Sequence, residues 1–360
     1  MPSPAPLLSV IIPTLDEAAN LPLVLADLAG QEKVALEVIV GDGGSTDATE
    51  TIATAAGVRF VRGPRGRGAQ MNAAARQAAG RYVLFLHADS RLEDPRMLAR
   101  ALAALREAEH ESPWVAGHFR LRFRRGDNRH GLAYRYLEAK TGLNRPGTIN
   151  GDQGFLLSRA FFERLGGFDA GLPFLEDQRL AERIHAMGRW ITLPGVLVTS
   201  ARRFEREGFH RRYLLMGIMM GMHTIGERDF FRRAPSVYRV QAESGRLLLS
   251  PIFGLLWTMA RREWGPAGTC RVFARLGRYL RLNGWQVFLW CDVLPRPAPG
   301  PARYPLLAWY DRVLAPRLAC RWVDGLAGAL CFVWYMLVLA GYFRLEEVLV
   351  QLWRGRRPAR

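Results

Sequence analysis

Three short apolar segments near the N-terminus each run directly into acidic and hydroxyl-bearing residues. They are Ser9–Glu17 (SVIIPTLDE), Val38–Asp47 (VIVGDGGSTD) and Leu84–Ser90 (LFLHADS). If each segment is a strand of one sheet, the acids follow the carboxyl ends of the strands, which is where ligands bind in open α/β sheets. The N-terminal part of the chain therefore predicts an acidic, hydroxyl-rich crevice, the layout expected for a metal-bound nucleotide.

Helices must alternate with these strands to bring the three segments together. The apolar runs at Leu8–Ile12, Glu37–Val40 and Tyr82–Leu86 are continuous, which indicates a mostly parallel sheet with helices on both faces. Residues 114–125 instead alternate apolar and polar side chains, which predicts an antiparallel strand with one solvated face. With two short strands near residues 190–199, we expect an α/β domain over residues 1–235.

Charge is distributed unevenly along the chain. Its 360 residues exceed what one core usually supports, and the net charge is +17. Residues 1–235 contain 32 basic and 26 acidic residues, whereas residues 236–360 contain 18 and 7. The resulting +11 of the shorter part suits anionic lipid, nucleic acid or a phosphorylated substrate.

Uncharged stretches bounded by arginine recur in the C-terminal part. Tyr213–Gly226 and Leu247–Ala260 are too short to span a bilayer, which takes about 20 residues, whereas Gly325–Phe343 is just long enough. We expect residues 236–360 to form a mainly helical, hydrophobic and basic extension whose amphipathic helices lie on or dip into a membrane. A single span and a soluble helical domain are the alternatives.

All four cysteines lie in this C-terminal part: Cys270, Cys291, Cys320 and Cys331. None forms a CxxC pair, so we expect inert core thiols rather than a metal site or disulfides. The first apolar run has no basic segment before it, so no signal peptide is expected. Both features suit a reducing cytosol.

Five motifs in order resemble family 2 glycosyltransferases of the GT-A (Rossmann-like) fold. The motifs are SVIIPTLDE, DGGSTD, GRGAQMN (Gly66–Asn72), HADS and GDQG…FLEDQRL, and the resemblance covers residues 7–205. The HADS form and the later ARRFEREG segment are similar to a bacterial subgroup of that family. The resemblance implies inverting transfer of a sugar from a nucleotide-diphosphate sugar to an acceptor hydroxyl.

The resemblance implies a set of donor-binding residues at the first two strand ends. Pro13, Thr14 and Glu17 would line the nucleotide pocket, and Asp42 would accept hydrogen bonds from the base beside Gly43. The alternatives are structural: acids favour a helix N-terminus, and a turn carboxylate often caps backbone amides.

Asp89 is the expected metal ligand. A divalent cation held by a carboxylate offsets the charge of the leaving diphosphate. The family has Asp-x-Asp at this point, whereas this chain has His87-Ala88-Asp89, so the first acid is replaced. His87 would ligate the ion, bind a ligand water or simply pack, and a nitrogen ligand suits manganese better than magnesium.

Glu176 and Asp177 are the expected catalytic pair. An inverting transfer needs one carboxylate to take the proton of the acceptor hydroxyl. The resemblance aligns Asp177 with this base, and Glu176 would orient it or contact the acceptor. The alternative is an ordinary acid pair at the start of an amphipathic helix.

Three arginines are expected near the diphosphate. Arg67 lies in a glycine-rich loop that opens a helix, where backbone N–H groups favour anions. Arg202 and Arg203 follow the last strand and could bind the diphosphate in a bidentate manner. The alternative for each is a solvated charge.

The sequence therefore predicts a glycosyltransferase that uses Mn²⁺ or Mg²⁺ at the cytoplasmic face of the bacterial inner membrane. Its acceptor is not identified, although a lipid-linked one would fit, and no nucleic acid partner is expected. One alternative is a nucleotidyltransferase that makes sugar nucleotides, but its glycine loop would follow the first strand, which here ends in PTLDE. Another is a non-enzymatic, arginine-rich binder of membrane or nucleic acid, which leaves the five ordered motifs unexplained.

Overall fold

A computed structural model describes residues 6–244, 247–295 and 303–355. The chain divides into two compact units, Met1–Ala201 and Arg202–Arg360. The sequence analysis predicts the boundary after residue 235. The division falls earlier because the helices that follow Arg202 bury Phe209, Leu215 and Ile218 within the second unit.

The first unit is built on one seven-stranded sheet with the order β3-β2-β1-β4-β6-β5-β7. The strands are β1 (Leu8–Thr14), β2 (Leu36–Asp42), β3 (Arg59–Arg62), β4 (Tyr82–Phe85), β5 (Val115–Arg124), β6 (Phe155–Ser158) and β7 (Arg189–Ser200). Only β6 runs antiparallel to its neighbours, β4 and β5. The predicted mostly parallel α/β sheet is therefore confirmed.

Helices cover this sheet. They are α1 (Leu21–Ala29), α2 (Thr49–Ala55), α3 (Arg67–Ala75), α4 (Met97–Glu109), α5 (Gly131–Lys140), α6 (Arg159–Arg164) and α7 (Glu176–Met187). All four residues of β4 are buried, as are the first five of β1. Strands buried on both sides explain why these segments are continuous apolar runs.

Three features of the second half of the first unit differ from the expectations. The two short strands near residues 190–199 are one strand, β7, which continues through Pro194 and Gly195 beside an irregularity in its pairing with β5. Helix α5 lies where no element was predicted. Strand β5 alternates as expected only in its second half, because its first residues are buried on both faces.

The second unit is entirely helical in the residues that the structure describes. Its helices are α8 (Arg202–Glu207), α9 (Phe209–Thr224), α10 (Arg228–Ser244), α11 (Ser250–Met259), α12 (Gly265–Leu282), α13 (Trp285–Val293), α14 (Pro305–Trp309), α15 (Ala315–Leu318), α16 (Arg321–Phe332) and α17 (Ala340–Gly355). A π-helical turn, Val333–Leu339, joins α16 to α17. The predicted helical extension is confirmed.

One helix of the described residues, Arg321–Leu349, is long and apolar enough to cross a membrane. Only 22% of its most apolar stretch is buried. The cysteine prediction is wrong for three of the four residues: Cys331 is buried, whereas Cys270, Cys291 and Cys320 are exposed. An apolar neighbourhood in sequence therefore does not bury each thiol.

Candidate active site

Asp42 and Thr14 lie side by side where β2 and β1 end. The pairing of the two parallel strands sets Thr14 opposite Asp42, and the Thr14 hydroxyl donates to Asp42 Oδ1 over 3.0 Å. The N–H groups of Gly44 and Ser45 donate to Oδ2 over 2.8 and 2.9 Å, and the Ser45 hydroxyl donates to Oδ1. Burial disfavours ionisation, but these hydrogen bonds outweigh it and lower the pKa of Asp42.

These four bonds occupy the acceptor positions of the Asp42 carboxylate. Asp42 thus caps the turn after β2, which is the structural alternative given in the sequence analysis. Its contact with a nucleotide base stays a prediction. A nucleotide base contact through this carboxylate would have to replace one of the four bonds.

The other predicted donor residues of this region lie near the ends of β1 and β2. The Glu17 N–H donates to the Thr49 hydroxyl over 3.0 Å, while the Glu17 carboxylate accepts a bond from Asn20. Pro13 pairs with Gly41 in the sheet, directly before Thr14. At Gly43 a Cβ would lie 2.5 Å from Nε2 of Gln70, so a side chain there would displace the Gln70 amide.

Gln70 is a buried residue of this region that the sequence analysis did not select. Its side-chain amide donates to the Thr14 carbonyl oxygen. Gln70 therefore fixes α3 against the end of β1. Its place in the GRGAQMN motif was the available signal.

Arg67 holds together the predicted catalytic pair. It is the first residue of α3, after Gly66 at φ 135°, whereas Glu176 and Asp177 begin α7. Arg67 Nε donates to Glu176 Oε1, and its Nη2 lies 3.7 Å from Asp177 Oδ2. Arg67 and Glu176 are 109 residues apart in sequence, so the contact depends on the tertiary structure.

Arg67 and Glu176 each affect the pKa of the other. Burial would lower the pKa of Arg67, but the Asp177 and Glu176 carboxylates raise it well above its usual range. Burial raises the pKa of Glu176, and Arg67 opposes that rise. Asp177 is tied in place, because its Oδ2 accepts the Gly151 N–H over 2.8 Å.

His87 and Asp89 follow the end of β4 on the same side of the site. His87 Nε2 lies 3.5 Å from Arg67 Nη1. A Cβ on Gly151 would lie 3.3 Å from His87 Nε2 and 3.1 Å from Asp177 Oδ2, so both side chains border this glycine. The structure thus brings the predicted metal residue His87 next to the predicted catalytic pair.

Asp152 is an acid of the site that the sequence analysis did not assign, although it lies in the GDQG motif. It precedes β6, the antiparallel neighbour of β4, and Phe155 pairs with Phe85. Its Oδ1 atom is buried and has no hydrogen-bond partner in the part of the chain that the structure describes. Burial, then the charges of Asp177 and Asp89, raise the pKa of Asp152 to about 7.

Gln178 fastens α7 to the segment that carries Asp152. Its side-chain amide donates to the Ile149 carbonyl oxygen and to Asn150 Oδ1, each over 2.7 Å. Asn150 and Gln153 in turn cap each other's backbone around the short 3₁₀ turn Gly151–Gln153. Asp152 and Asp177 are therefore positioned by one rigid set of hydrogen bonds.

These acids are of the type that a divalent cation requires. Among residues 6–244, 247–295 and 303–355, no three His, Cys, Asp or Glu side chains form a ready metal site. Magnesium-type sites on nucleotides commonly use only one or two carboxylates, with phosphate oxygens and waters as the other ligands. Asp89 and the partnerless Asp152 oxygen fit such a cation, and His87 adds a nitrogen donor.

Arg202 and Arg203 belong to the second unit. Both are exposed at the start of α8. Their role in donor binding stays a prediction, whereas Arg67 lies within the acidic cluster of the first unit.

Comparison with known proteins agrees with the predicted family. Residues 9–166 match the family model "Glycosyl transferase family 2". Two curated relatives, both "PGL/p-HBAD biosynthesis glycosyltransferase", come from Mycobacterium bovis and Mycobacterium tuberculosis. Each is 40% identical over 114 residues, which is 30% of this chain and 44% of the relative. The matched part is therefore less than half the length of these relatives.

Solved structures that are similar to this chain include the two that follow. A mannosyltransferase from Pyrobaculum calidifontis in complex with GDP-Man and Mn²⁺ is 22% identical, with a TM-score of 0.46, over 92% of this chain and 88% of that one. TarS 1-349 from S. aureus in complex with UDP is 16% identical, with a TM-score of 0.46, over 89% of each chain.

The family assignment rests on the matched sequence together with the strand-end acids that this region supplies. The match begins in β1 and extends through the Gly151–Gln153 turn into α6. It thus includes Thr14, Asp42, Arg67, Asp89 and Asp152. Residues 9–166 of this chain form a glycosyl transferase family 2 domain.

Proposed function

We propose that this protein transfers a sugar from a nucleotide-diphosphate sugar to an acceptor hydroxyl with inversion at the anomeric carbon. The observation that carries the proposal is the cluster in which Arg67 contacts Glu176, Asp177 and His87, with Asp152 and Asp89 beside it. Carboxylates from within and beyond the family 2 match crowd around the Arg67 guanidinium. Such a cluster suits a reaction that needs both a cation and a base.

Asp177 is the proposed base. As the acceptor oxygen bonds to the anomeric carbon, the bond from that carbon to the diphosphate oxygen breaks and Asp177 receives the hydroxyl proton. Its oxygens accept backbone N–H groups of Gly151 and Gln178, which hold the carboxylate in one orientation. Each oxygen keeps a further lone pair for the proton.

Glu176 and Arg67 position the base. Arg67 bonds to Glu176, which is 3% exposed, and lies between the two acids. Its guanidinium opposes the rise that burial causes in the pKa of Glu176. The same guanidinium could also donate hydrogen bonds to a diphosphate oxygen of the donor.

Asp89 and His87 are the proposed holders of Mn²⁺ or Mg²⁺, with Asp152 at hand as a further carboxylate. When bound, the cation would offset charge on the departing diphosphate as a Lewis acid. The chain's own contribution is to place carboxylate oxygens after β4 and before β6, at neighbouring points of one sheet edge.

We further propose that the reaction takes place at the cytoplasmic face of a bacterial membrane, with a lipid-linked or membrane-resident acceptor. The arginine-rich composition of the second unit supports this location.

A donor panel tests the reaction. UDP, GDP and CDP sugars are compared by thermal shift with and without Mn²⁺, and donor hydrolysis is then followed for the sugar that binds. We expect Mn²⁺-dependent stabilisation by one nucleotide class and slow hydrolysis to the nucleoside diphosphate.

The variant Asp89→Ala makes the same experiment specific. We expect it to fold normally but to lose both Mn²⁺-dependent nucleotide binding and hydrolysis. Retention of both would show that the cation lies elsewhere. Release of pyrophosphate from a nucleoside triphosphate and a sugar phosphate would support the nucleotidyltransferase alternative instead.

A further inference from the structure

A continuous apolar stripe is exposed along the helix Arg321–Leu349 of the second unit. Trp322, Leu326, Leu330, Trp334, Leu337, Tyr342 and Leu345 recur every three to five residues and are between 53% and 89% exposed. A helix in a protein core has such residues buried, whereas only 22% of the most apolar stretch of this helix is buried. Exposed apolar surface of this extent marks an interaction site.

The opposite side of the same helix is fastened to the rest of the second unit. Gly328 lies against α12 so closely that a Cβ there would be 2.4 Å from the Phe273 carbonyl oxygen. At the N-terminal end, Asp324 Oδ1 accepts Arg281 Nε over 2.5 Å. Small residues and an ion pair therefore lock α16 onto α12.

The C-terminal end is fastened by a buried acid. Glu347 is 7% exposed, lies 3.4 Å from Arg211 Nη1 and accepts the Leu249 N–H over 2.9 Å. It also accepts the Ser250 hydroxyl. If this helix crossed a bilayer by itself, the hydrogen bonds of Asp324 and Glu347 would be lost. Both acids would then lie in or near hydrocarbon, which is unfavourable.

Lipid is the partner that fits the exposed side. Residues 202–360 contain 26 basic residues, all arginine, and 11 acidic ones, for a net charge of +15. Arg321 and Arg344 are exposed at the two ends of the stripe. Arginine beside tryptophan and leucine is the composition of helices that lie in the plane of an anionic membrane surface.

We propose that the helix Arg321–Leu349 lies along an anionic bilayer with its exposed stripe immersed in one leaflet and its fastened side still packed on the second unit. This inference deepens the proposed membrane location, and it decides between the in-plane and spanning arrangements that the sequence left open. Attachment is then monotopic, with the arginines at the headgroups.

Vesicle binding tests the surface without any substrate. The full chain is sedimented with phosphatidylglycerol-containing vesicles and with phosphatidylcholine alone, and the triple variant Leu326→Gln, Leu330→Gln, Leu345→Gln is compared with Leu23→Gln. Leu23 is an exposed leucine of α1, which makes its variant a matched control. We expect about 100-fold weaker binding for the triple variant, no change for the control, and a preference for the anionic vesicles.

Depth measurement tests the orientation. Nitroxide labels are placed at Leu326, Val338 and Leu349 in a chain whose Cys270, Cys291 and Cys320 are replaced by serine. We expect one shallow depth at all three positions. A label at Val338 that lies at the bilayer centre between two shallow ends would overturn the in-plane arrangement in favour of a span.

Two other outcomes would also overturn the proposal. One is equal vesicle binding by the triple variant and the wild type. The other is a dimer that forms without lipid and is lost in the triple variant, which would assign the stripe to a second copy of the chain. Donor hydrolysis is measured in parallel, and its loss with intact vesicle binding would count against the proposed reaction alone.

Discussion

The two units of this protein differ in net charge and in how many large apolar side chains they expose. The first, residues 1–201, contains 24 basic and 22 acidic residues, whereas the second has a net charge of +15. Among the described residues, the first unit exposes four large hydrophobic side chains and the second exposes eighteen. The first unit concentrates its unusual chemistry in one interior cluster, and the second displays it on its surface.

Their buried acids also differ. In the first unit, the Oδ1 atom of Asp152, which acts on Arg67 together with Glu176 and Asp177, has no hydrogen-bond partner among the described residues. In the second, Arg211 pairs with both Glu346 and Glu347, and the two oxygens of Glu347 accept a backbone N–H and a hydroxyl. An acid with an unbonded oxygen is available for a cation, whereas a balanced acid, one whose oxygens are all bonded, holds helices together.

The largest expected effect removes the base from the first cluster. Asp177→Asn keeps the shape but accepts no proton, so turnover should fall by about 10²–10⁴-fold while nucleotide binding persists. Isothermal titration and hydrolysis rates separate the two quantities. The control is Glu182→Gln, an exposed acid on the same helix. Equal loss of binding and turnover would make Asp177 a structural residue.

Removing the balanced acid of the second unit should affect stability and not chemistry. Glu347→Gln removes one of the negative charges beside Arg211 and replaces the carboxylate that accepts the Leu249 N–H by a neutral amide. We therefore expect the free energy of unfolding in urea to fall by about 2–4 kcal/mol. Donor hydrolysis by the folded fraction should be unchanged. Glu346→Gln, at a more exposed partner of Arg211, should cost less. A larger cost for Glu346 would reverse the roles of the two acids.

Lys140 tests whether the first unit tolerates a partly buried charge outside its cluster. Burial lowers the pKa of Lys140 to about 8, below its value in the unfolded chain, so the folded state binds fewer protons between about pH 8 and 10.5. The free energy of unfolding should therefore rise with pH across that window.

The variant Lys140→Met removes this dependence. We expect it to stabilise the protein by about 1–3 kcal/mol at pH 7, with the gain shrinking as pH approaches 10.5. Thermal unfolding at a series of pH values measures the difference. Destabilisation at pH 7 would mean that the ammonium group makes contacts that outweigh its loss of hydration.

The smallest expected effect concerns the thiols of the second unit. Burial raises the pKa of Cys331 to about 12, so its thiolate is scarce at pH 8. A thiol reagent should label the exposed Cys270, Cys291 and Cys320 quickly and Cys331 slowly. Rapid labelling of Cys331 in the folded protein would show that the side of the helix opposite the apolar stripe opens in solution.

Local patterns predicted much of the first unit. The strands before Thr14, Asp42 and His87 were identified because a buried parallel strand needs an apolar run, and the run must end where polar residues begin. Helix α5 and the single strand β7 were missed. Pro194 and Gly195 lie within β7 and predicted a break between two strands. The structure has one strand instead, because β7 pairs with β5 on both sides of these residues.

The sequence by itself determined the α/β order, the acids at strand ends, the family and the basic, helical C-terminal part. These depend on periodicity and on neighbours in the chain, which local patterns record. The tertiary structure decided that Arg67 contacts Glu176, that Asp152 joins Asp89 and Asp177, and that the second unit starts at Arg202. It also decided which side of the helix Arg321–Leu349 is buried. Each of these depends on packing between segments far apart in sequence, where burial sets the pKa of a carboxylate and chooses the exposed face of a helix.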